Sequence, residues 1–329
     1  ALGRKSISGG EPTDNIAAYQ AYLEARFWWN KRSKEGFARA IVLFDEAIDI
    51  DSGYALAYSG KAEAYVMMAI HLARPAEYIE TARKAAGKAV ELDGSLAQAY
   101  AALGWISFVY DYEFDEAERL FKKAIELDPG YATAYNWYGV MLSMLGRDEE
   151  ASDLMTRAHQ LDPASMIIGR DRACVLSWAG RFDDAKTQLE KVLAMDPAFL
   201  PALAHLGRIY TAEGRYDEAY ETFEKLRAID GNYFNLDVML GHLYAKSGRI
   251  EESRRILADL ISRSDSQEGK AFEIGIIYSS LGEADSALVW FNRAVDNREF
   301  SVLLMDVNVM TDNLRKDPRY PALKGRIGL

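Results

Sequence analysis

Between residues 200 and 231 the apolar positions fall into two helical stripes with a glycine between them. Leu203, Leu206, Gly207 and Tyr210 stand at i, i+3, i+4 and i+7, one face of a helix. Gly214-Arg215 interrupts the stripe, and glycine is best suited to the positive φ that ends many helices. Tyr216-Asp217-Glu218-Ala219 then opens a second stripe, with acids where a helix exposes its free N–H groups. Ala219, Phe223 and Leu226 continue it, and Gly231 closes the unit. The pattern predicts helix, short turn, helix, longer turn.

The same pattern recurs with a fixed period. Gly139, Ala173, Gly207, Gly241 and Gly275 are spaced 34 residues apart. Gly146, Gly180, Gly214, Gly248 and Gly282 keep step, as do Ala151, Ala185, Ala219, Ser253 and Ala287. A period of this length marks a repeat array. Gly207 and Ala219 fall on facing sides of their two helices, where small residues allow close backbone approach and Phe223 fills the space beside them. A single pair cannot bury its apolar face alone, so neighbours must stack.

Leu206-Gly207, Tyr210, Gly214, Ala219 and Phe223, with Pro129, Pro163 and Pro197 at the closing position of other units, resemble the tetratricopeptide repeat. The resemblance implies an all-α fold, a right-handed α-solenoid of about eight helix-turn-helix repeats with a C-terminal capping helix. Residues 1–14 read as a flexible lead-in, 15–299 as the array and 300–329 as the cap. Asp14 or Asn15 caps the first helix.

The early repeats are irregular. Ala25 and Ala40 are 15 apart rather than 12, so the first turn carries three extra residues. Ala62 and Ala82 are 20 apart, with the surplus around Ile70–Tyr78, and Ala86 stands where a large residue is expected, which predicts looser packing. The third repeat holds one extra residue within Tyr110–Phe114. After Glu299 the period stops; Val302, Leu303, Leu304, Val307, Val309 and Met310 need burial, and a last helix is expected over Ala322–Ile327.

Three stretches narrow the resemblance: Tyr22 to Arg32 (YLEARFWWNKR), Tyr110 to Phe114 (YDYEF), and the close, Asp317-Pro318-Arg319-Tyr320 with Ile327-Gly328-Leu329. They are similar to the C-terminal repeat region of bacterial multidomain signalling proteins, where it follows a winged-helix, Ser/Thr kinase or nucleotide cyclase domain. The chain does not begin with Met, which leaves room for such an upstream domain.

Composition changes this picture little. Apolar residues at 49% and charged residues at 27% suit a folded domain, and no apolar run reaches membrane-spanning length. No secretory signal opens the chain, and the lone Cys174 excludes an internal disulfide framework, so a cytoplasmic location is expected. A net charge of −11 argues against binding nucleic acid.

No phosphate loop, HExxH or CxxC motif occurs, and His71, His159, His205 and His242 are scattered, so no catalytic site, metal or cofactor is expected. His205 and His242 lie on first helices of adjacent repeats, where they could meet. Cys174 near Arg170 and Arg172 reads either as a low-pKa thiol or, more simply, as a small half-buried residue. The acidic runs open second helices, where the dipole accounts for them.

The functional signal lies in a stripe. On each first helix the core takes positions 4, 7, 8 and 11 of the period, and positions 5, 9 and 12 form a separate line. In the tetratricopeptide family this line resembles the lining of a concave peptide groove. Arg26, Arg170 and Arg208 against Glu63 make it positive on an acidic chain. The candidate partner-binding residues are Arg26, Trp29, Trp105, Asn136, Arg170, Trp178, Arg208 and His242. Trp105 and Trp178 are expected to add flat apolar surface, and the arginines to hold an acidic segment or C-terminal carboxylate of a protein or peptide partner. The Lys and Asn clamp of the family's chaperone-binding members is not reproduced. Against this, the arginines could simply pair with Asp171 or Glu213. The alternative function is self-association, as a homodimerisation module for an effector domain outside this sequence; no membrane contact is expected.

Overall fold

The structure, a computed structural model, describes residues 13–71, 75–264 and 270–329. Most of the lead-in expected over 1–14 therefore lies outside the described residues. All regular structure among the described residues is helical. The helices pair as α1 (Ile16–Asn30) with α2 (Lys34–Ile50), α3 (Ala55–His71) with α4 (Pro75–Leu92), α5 (Ala97–Ile106) with α6 (Phe114–Leu127), and α7 (Ala132–Met144) with α8 (Asp148–Leu161). The regular repeats continue as α9 (Met166–Trp178) and α10 (Phe182–Met195), α11 (Leu200–Ala212) and α12 (Tyr216–Ile229), α13 (Leu236–Lys246) and α14 (Ile250–Ser264), and α15 (Ala271–Ser280) and α16 (Ala284–Asp296). Two compact units result: one reaches Gly139 and includes Leu154–Asp162, the other holds Val140–Asp153 and Pro163–Leu329.

Each regular pair is joined by the same turn. Gly146, Gly180, Gly214, Gly248 and Gly282 all have φ between 75° and 82°, the left-handed region that favours glycine. In the sixth repeat Arg215 N–H donates to Tyr210 C=O at 2.9 Å and Gly214 N–H to Thr211 C=O at 3.2 Å, which satisfies the last carbonyls of α11. The next residue repeats a second device. Arg147, Arg181, Arg215 and Arg249 each pair with an acid three residues on: Glu150, Asp184, Glu218 and Glu252. The longer turns are built on aspartate: Asp51, Asp93, Asp128, Asp196 and Asp230 accept the N–H two residues later at 2.9–3.0 Å.

The irregular repeats absorb their extra residues differently. The first turn uses them at Arg32, with φ 52°, and at Ser33, which caps α2 through Gly36 N–H. In the second repeat the surplus chiefly lengthens α3 and α4 to 17 and 18 residues. Ala86 there is fully buried with Ala62, Ala85 and Ala102, so alanine meets alanine at close approach, and the looser packing expected from its small size is not what the contacts show. In the third repeat the extra residue is wound into a π turn over Ser107–Asp111, closed by Tyr112 at φ 60°. Asn15 caps α1, accepting from Ala17 and Ala18 N–H.

The C-terminal residues form 3-10 turns at Phe300–Leu304 and Val309–Thr311, then α17 (Asp312–Arg315) and α18 (Tyr320–Gly325). The last helix begins two residues earlier than expected because Pro321 fits its first turn, where a missing N–H is no loss. Val302, Leu303 and Met305 are fully buried. This segment does more than cover α16, for Val309–Thr311 also lies against α11 and α15.

A β-carbon on Gly207 would sit 2.3 Å from the Phe223 ring. Gly207→Ala should therefore overpack the α11–α12 contact and lower stability by about 1–3 kcal/mol in urea unfolding. Gly87 meets nothing within 4 Å, so Gly87→Ala in helix α4 should be neutral or stabilising by up to about 1 kcal/mol. The reverse order would show that close approach at the small positions does not control the pairing.

Candidate functional site

The stripe of positions 5, 9 and 12 does not line an open groove. In the first unit Ser59, Glu63, Val66, Phe108 and Asn136 are all buried. Trp29 is 2% exposed and lies under the guanidinium groups of Arg26 and Arg32, 4.3 and 3.5 Å from its ring centre. Trp105 is 4% exposed and stacks on Trp137 at 5.5 Å, so it offers core packing in place of the flat surface expected of it. Arg26 Nη1 bonds Glu63 Oε2 at 2.5 Å, and the Tyr131 hydroxyl donates to Glu63 Oε1 at 2.9 Å. Burial alone would lower the Arg26 pKa; Glu63 and the phenols of Tyr22 and Tyr131 together raise it. Its charge is satisfied inside the fold.

The second unit is filled as well, but less evenly. Val238, Phe272, Ile276 and Ser279 are buried, and Asn313 of the C-terminal segment donates to the Ser279 carbonyl at 2.9 Å. His205 and His242, expected near each other, find separate serines. His242 Nδ1 meets Ser280 Oγ at 2.7 Å and His205 Nε2 meets Ser177 Oγ at 2.8 Å. Ser177 spends its proton on the Cys174 carbonyl, so it accepts from His205, and Nδ1 faces the Cys174 thiol at 3.6 Å as acceptor. Burial first, and nearby cations second, push both imidazoles down to about 3. Burial also pushes the Cys174 thiol up, which favours the plain reading of that residue over a reactive one.

Arg170 and Arg208 stay half-buried, and so does Trp178 at the end of α9. Their surroundings divide the two arginines. Arg170 pairs with Asp171 at 2.8 Å and donates to Cys174 Sγ at 3.7 Å. Glu213, the other acid considered, is held instead by Lys186 at 2.6 Å and Arg215 at 3.5 Å. Arg208 has no ion pair or hydrogen bond among the described residues, and its Nε is buried without a partner. Burial lowers its pKa, while Tyr233, Cys174 and Glu273 work the other way.

Tyr131, Tyr233 and Glu273 are the contributors not anticipated from the sequence. Tyr131, Phe199 and Tyr233 stand at one phase of the period, just before a first helix, so the register carried a signal for the aromatic pair. Glu273 left none, being an ordinary acid near a helix start. It accepts from Ser301 Oγ at 3.0 Å and Asn235 Nδ2 at 3.3 Å. Neighbouring Glu299 accepts the backbone N–H groups of Ala271 and Phe272. Among the described residues no three His, Cys, Asp or Glu side chains converge as metal ligands, and no helix is long and apolar enough to cross a membrane.

Family models described as Tetratricopeptide repeat match residues 120–151, 179–236 and 210–273. The fold is the tetratricopeptide-repeat solenoid. Solved structures agree on that fold. The APC/C hetero-tetramer Cut9-Hcn1 is similar at 15% identity and TM-score 0.64, covering 92% of this chain and 57% of that one. The human IFIT1 dimer with m7Gppp-AAAA is similar at 15% identity and TM-score 0.56, covering 84% and 72%. Yeast Tom70 is similar at 17% identity and TM-score 0.54, covering 98% and 69%. No curated protein matches the chain at a significant level.

Burial first and the Glu299 carboxylate second push Glu273 up to about 7 from 4.5. The folded protein thus keeps this proton at pH values where the unfolded chain releases it, and the associated stability is lost as pH rises from about 4.5 through 7. The two histidines act in the opposite sense, their contribution being lost as pH falls from 6.5 towards 3. Glu273→Gln keeps the hydrogen bonds and removes the titration. It should melt higher than the parent at pH 8, by up to about 3 kcal/mol in stability, with no gain at pH 4. An equal gain at both pH values would show that the buried carboxylate does not titrate as described.

Proposed function

We propose that this chain is a non-catalytic protein-binding module that takes a segment of a partner protein at Arg170, Arg208 and Tyr233. The observation that carries the reading is local. These three charged or phenolic residues stay half-exposed on first-helix or adjoining positions while the stripe around them is buried or filled by the C-terminal segment. Stacked helix pairs present extended surfaces of this kind, and the described site lacks a convergent nucleophile, base and oxyanion donor set. A positive spot on a chain of net charge −11 favours an acidic or carboxylate-bearing segment. Within that reading, the stretches from Tyr22 to Arg32 and from Tyr110 to Phe114 support a regulatory or sensory arm of a bacterial signalling protein.

Self-association has its own observation. Ile16, Leu23 and Phe27 lie at i, i+7 and i+11 on α1 and are 74%, 48% and 55% exposed, an apolar line suited to a second copy. Light scattering across a concentration series decides it: a monomer at every concentration removes this reading, and a dimer abolished by Phe27→Glu supports it.

For partner binding, a randomised library of ten-residue peptides passed over the immobilised chain should be enriched in defined sequences. Those peptides should bind the Arg170→Ala/Arg208→Ala double variant more weakly, most of all at low salt where screening is least. A library that emerges unchanged, or equal binding to parent and double variant, sinks the proposal.

A further inference from the structure

The C-terminal segment leaves the array at one joint. Arg298, with φ 53°, turns the chain out of α16, and Glu299 follows it. Glu299 is tied back to the array: its Oε1 accepts the Ala271 N–H at 3.1 Å and its Oε2 the Phe272 N–H at 2.9 Å, two of the free donors at the start of α15. Ser301, two residues on, donates to Glu273 Oε1 at 3.0 Å. Asn235, just ahead of α13, donates to the same oxygen at 3.3 Å. Glu273 thus links α15, the approach to α13 and the start of the C-terminal segment, and it is buried.

Its donors are arranged as a carboxylic acid requires. Both converge on Oε1, the two-lone-pair pattern of a carbonyl oxygen, which leaves Oε2 to carry the proton. The surrounding charges do not hold it as an anion. Glu299 repels its charge, while Lys270 at the start of α15 and Arg208 on α11 attract it without an ion pair. Charged groups on the other packed elements are engaged elsewhere. Asp237 of α13 takes Arg263 of α14, and His242 meets Ser280. On α16, Asp285 takes Arg319, Asp296 takes Arg326, and Arg293 lies over Trp290. In the C-terminal segment Arg315 pairs with Asp312, and Lys324 with Asp306.

We propose that Glu273 is a proton-operated catch for the C-terminal segment. Protonated, it holds residues 300–315 on α11 and α15; ionised, it sets two carboxylates against each other at the joint and lets that stretch lift away. Lifting would expose Val302, Leu303 and Met305, now fully buried, and release the Ser279 carbonyl that Asn313 holds. It is a local opening of the chain by itself and needs no partner. Burial and Glu299 raise Glu273 to about 7, so the docked form keeps its proton up to neutral pH. The lifted form, with this carboxyl in water, releases the proton near 4.5. Opening therefore grows as pH rises between those values and levels off above 7, which amounts to about tenfold from pH 6 to pH 8.

Amide hydrogen exchange on the full chain at pH 6, 7 and 8, with times scaled to the intrinsic exchange rate, tests the catch. Protection within 300–315 should fall about tenfold from pH 6 to pH 8, while α9 to α12 stay constant. Glu273→Gln should keep the pH 6 level at pH 8. If that variant does not fold, Glu299→Gln serves instead: it leaves Glu273 in place, removes the opposing carboxylate and should shrink the response well below tenfold. Equal protection of 300–315 at pH 6 and pH 8 in the parent overturns the proposal. So does a full response that persists in Glu273→Gln or, where that variant is unfolded, in Glu299→Gln. Loss of protection by the same factor from α9 through α16 overturns it too, since the whole unit would then be loosening and not the segment.

Discussion

The close approach of two helix backbones at a small residue is the contact on which everything else in this chain depends. Gly207 faces Phe223 and Gly275 faces Phe291 so tightly that no side chain fits at the glycine, and each ring is fully buried. A pair held this closely needs a turn of fixed geometry, hence the left-handed glycine at φ 75° to 82° in all five regular repeats. It also leaves most of each helix uncovered, because a two-helix hairpin has one inner face and several outer ones. Stacking is the way to bury the remainder, and the ends of the stack then need separate cover.

This constraint was legible in the sequence because it repeats. One glycine turn between two apolar stripes is weak evidence; five in 34-residue register leave no competing fold. Turn positions and the small residues followed from the same ruler; of Asp14 and Asn15, either of which could have capped the first helix, Asn15 does so. What periodicity does not report is which side chains of neighbouring repeats meet, and the reading of positions 5, 9 and 12 as an open surface depended on that. In the first unit Tyr131 reaches Glu63 across 68 residues, and the side chains of the stripe around them are buried. The irregular repeats show the same limit from another side. Counting residues finds an insertion, but not whether it becomes a π turn, as at Ser107–Asp111, or two longer helices, as in α3 and α4.

The C-terminal segment adds a constraint of its own. Thr311 is fully buried, its single hydroxyl proton is shared between the carbonyls of Asn308 and Met305, and Arg315 Nη1 donates to those same two carbonyls. Such a segment has its own internal bonding and is not a loose strap. Its contact with α11 ties the sixth repeat to the end of the array, so the second unit is braced across several repeats and not only between neighbours. Bracing of that kind limits how far the helix that carries Arg208 can move against the end of the array.

Arg208 is a half-buried guanidinium with no ion pair among the described residues, so little offsets the hydration it gives up. In a single compact core the penalty would act on the whole fold at once. In a repeat array stability is close to a sum of repeat and interface contributions, so one poorly compensated position can be carried by well-packed neighbours. The sixth repeat has such neighbours: Phe223, Leu226 and Ala219 are fully buried directly behind Arg208's helix. The first unit shows that the chain can neutralise this position when it does so, with Glu63 against Arg26. At Arg208 no such acid stands in hydrogen-bond reach among the described residues, so the ninth position is neutralised internally in one repeat and not in the other.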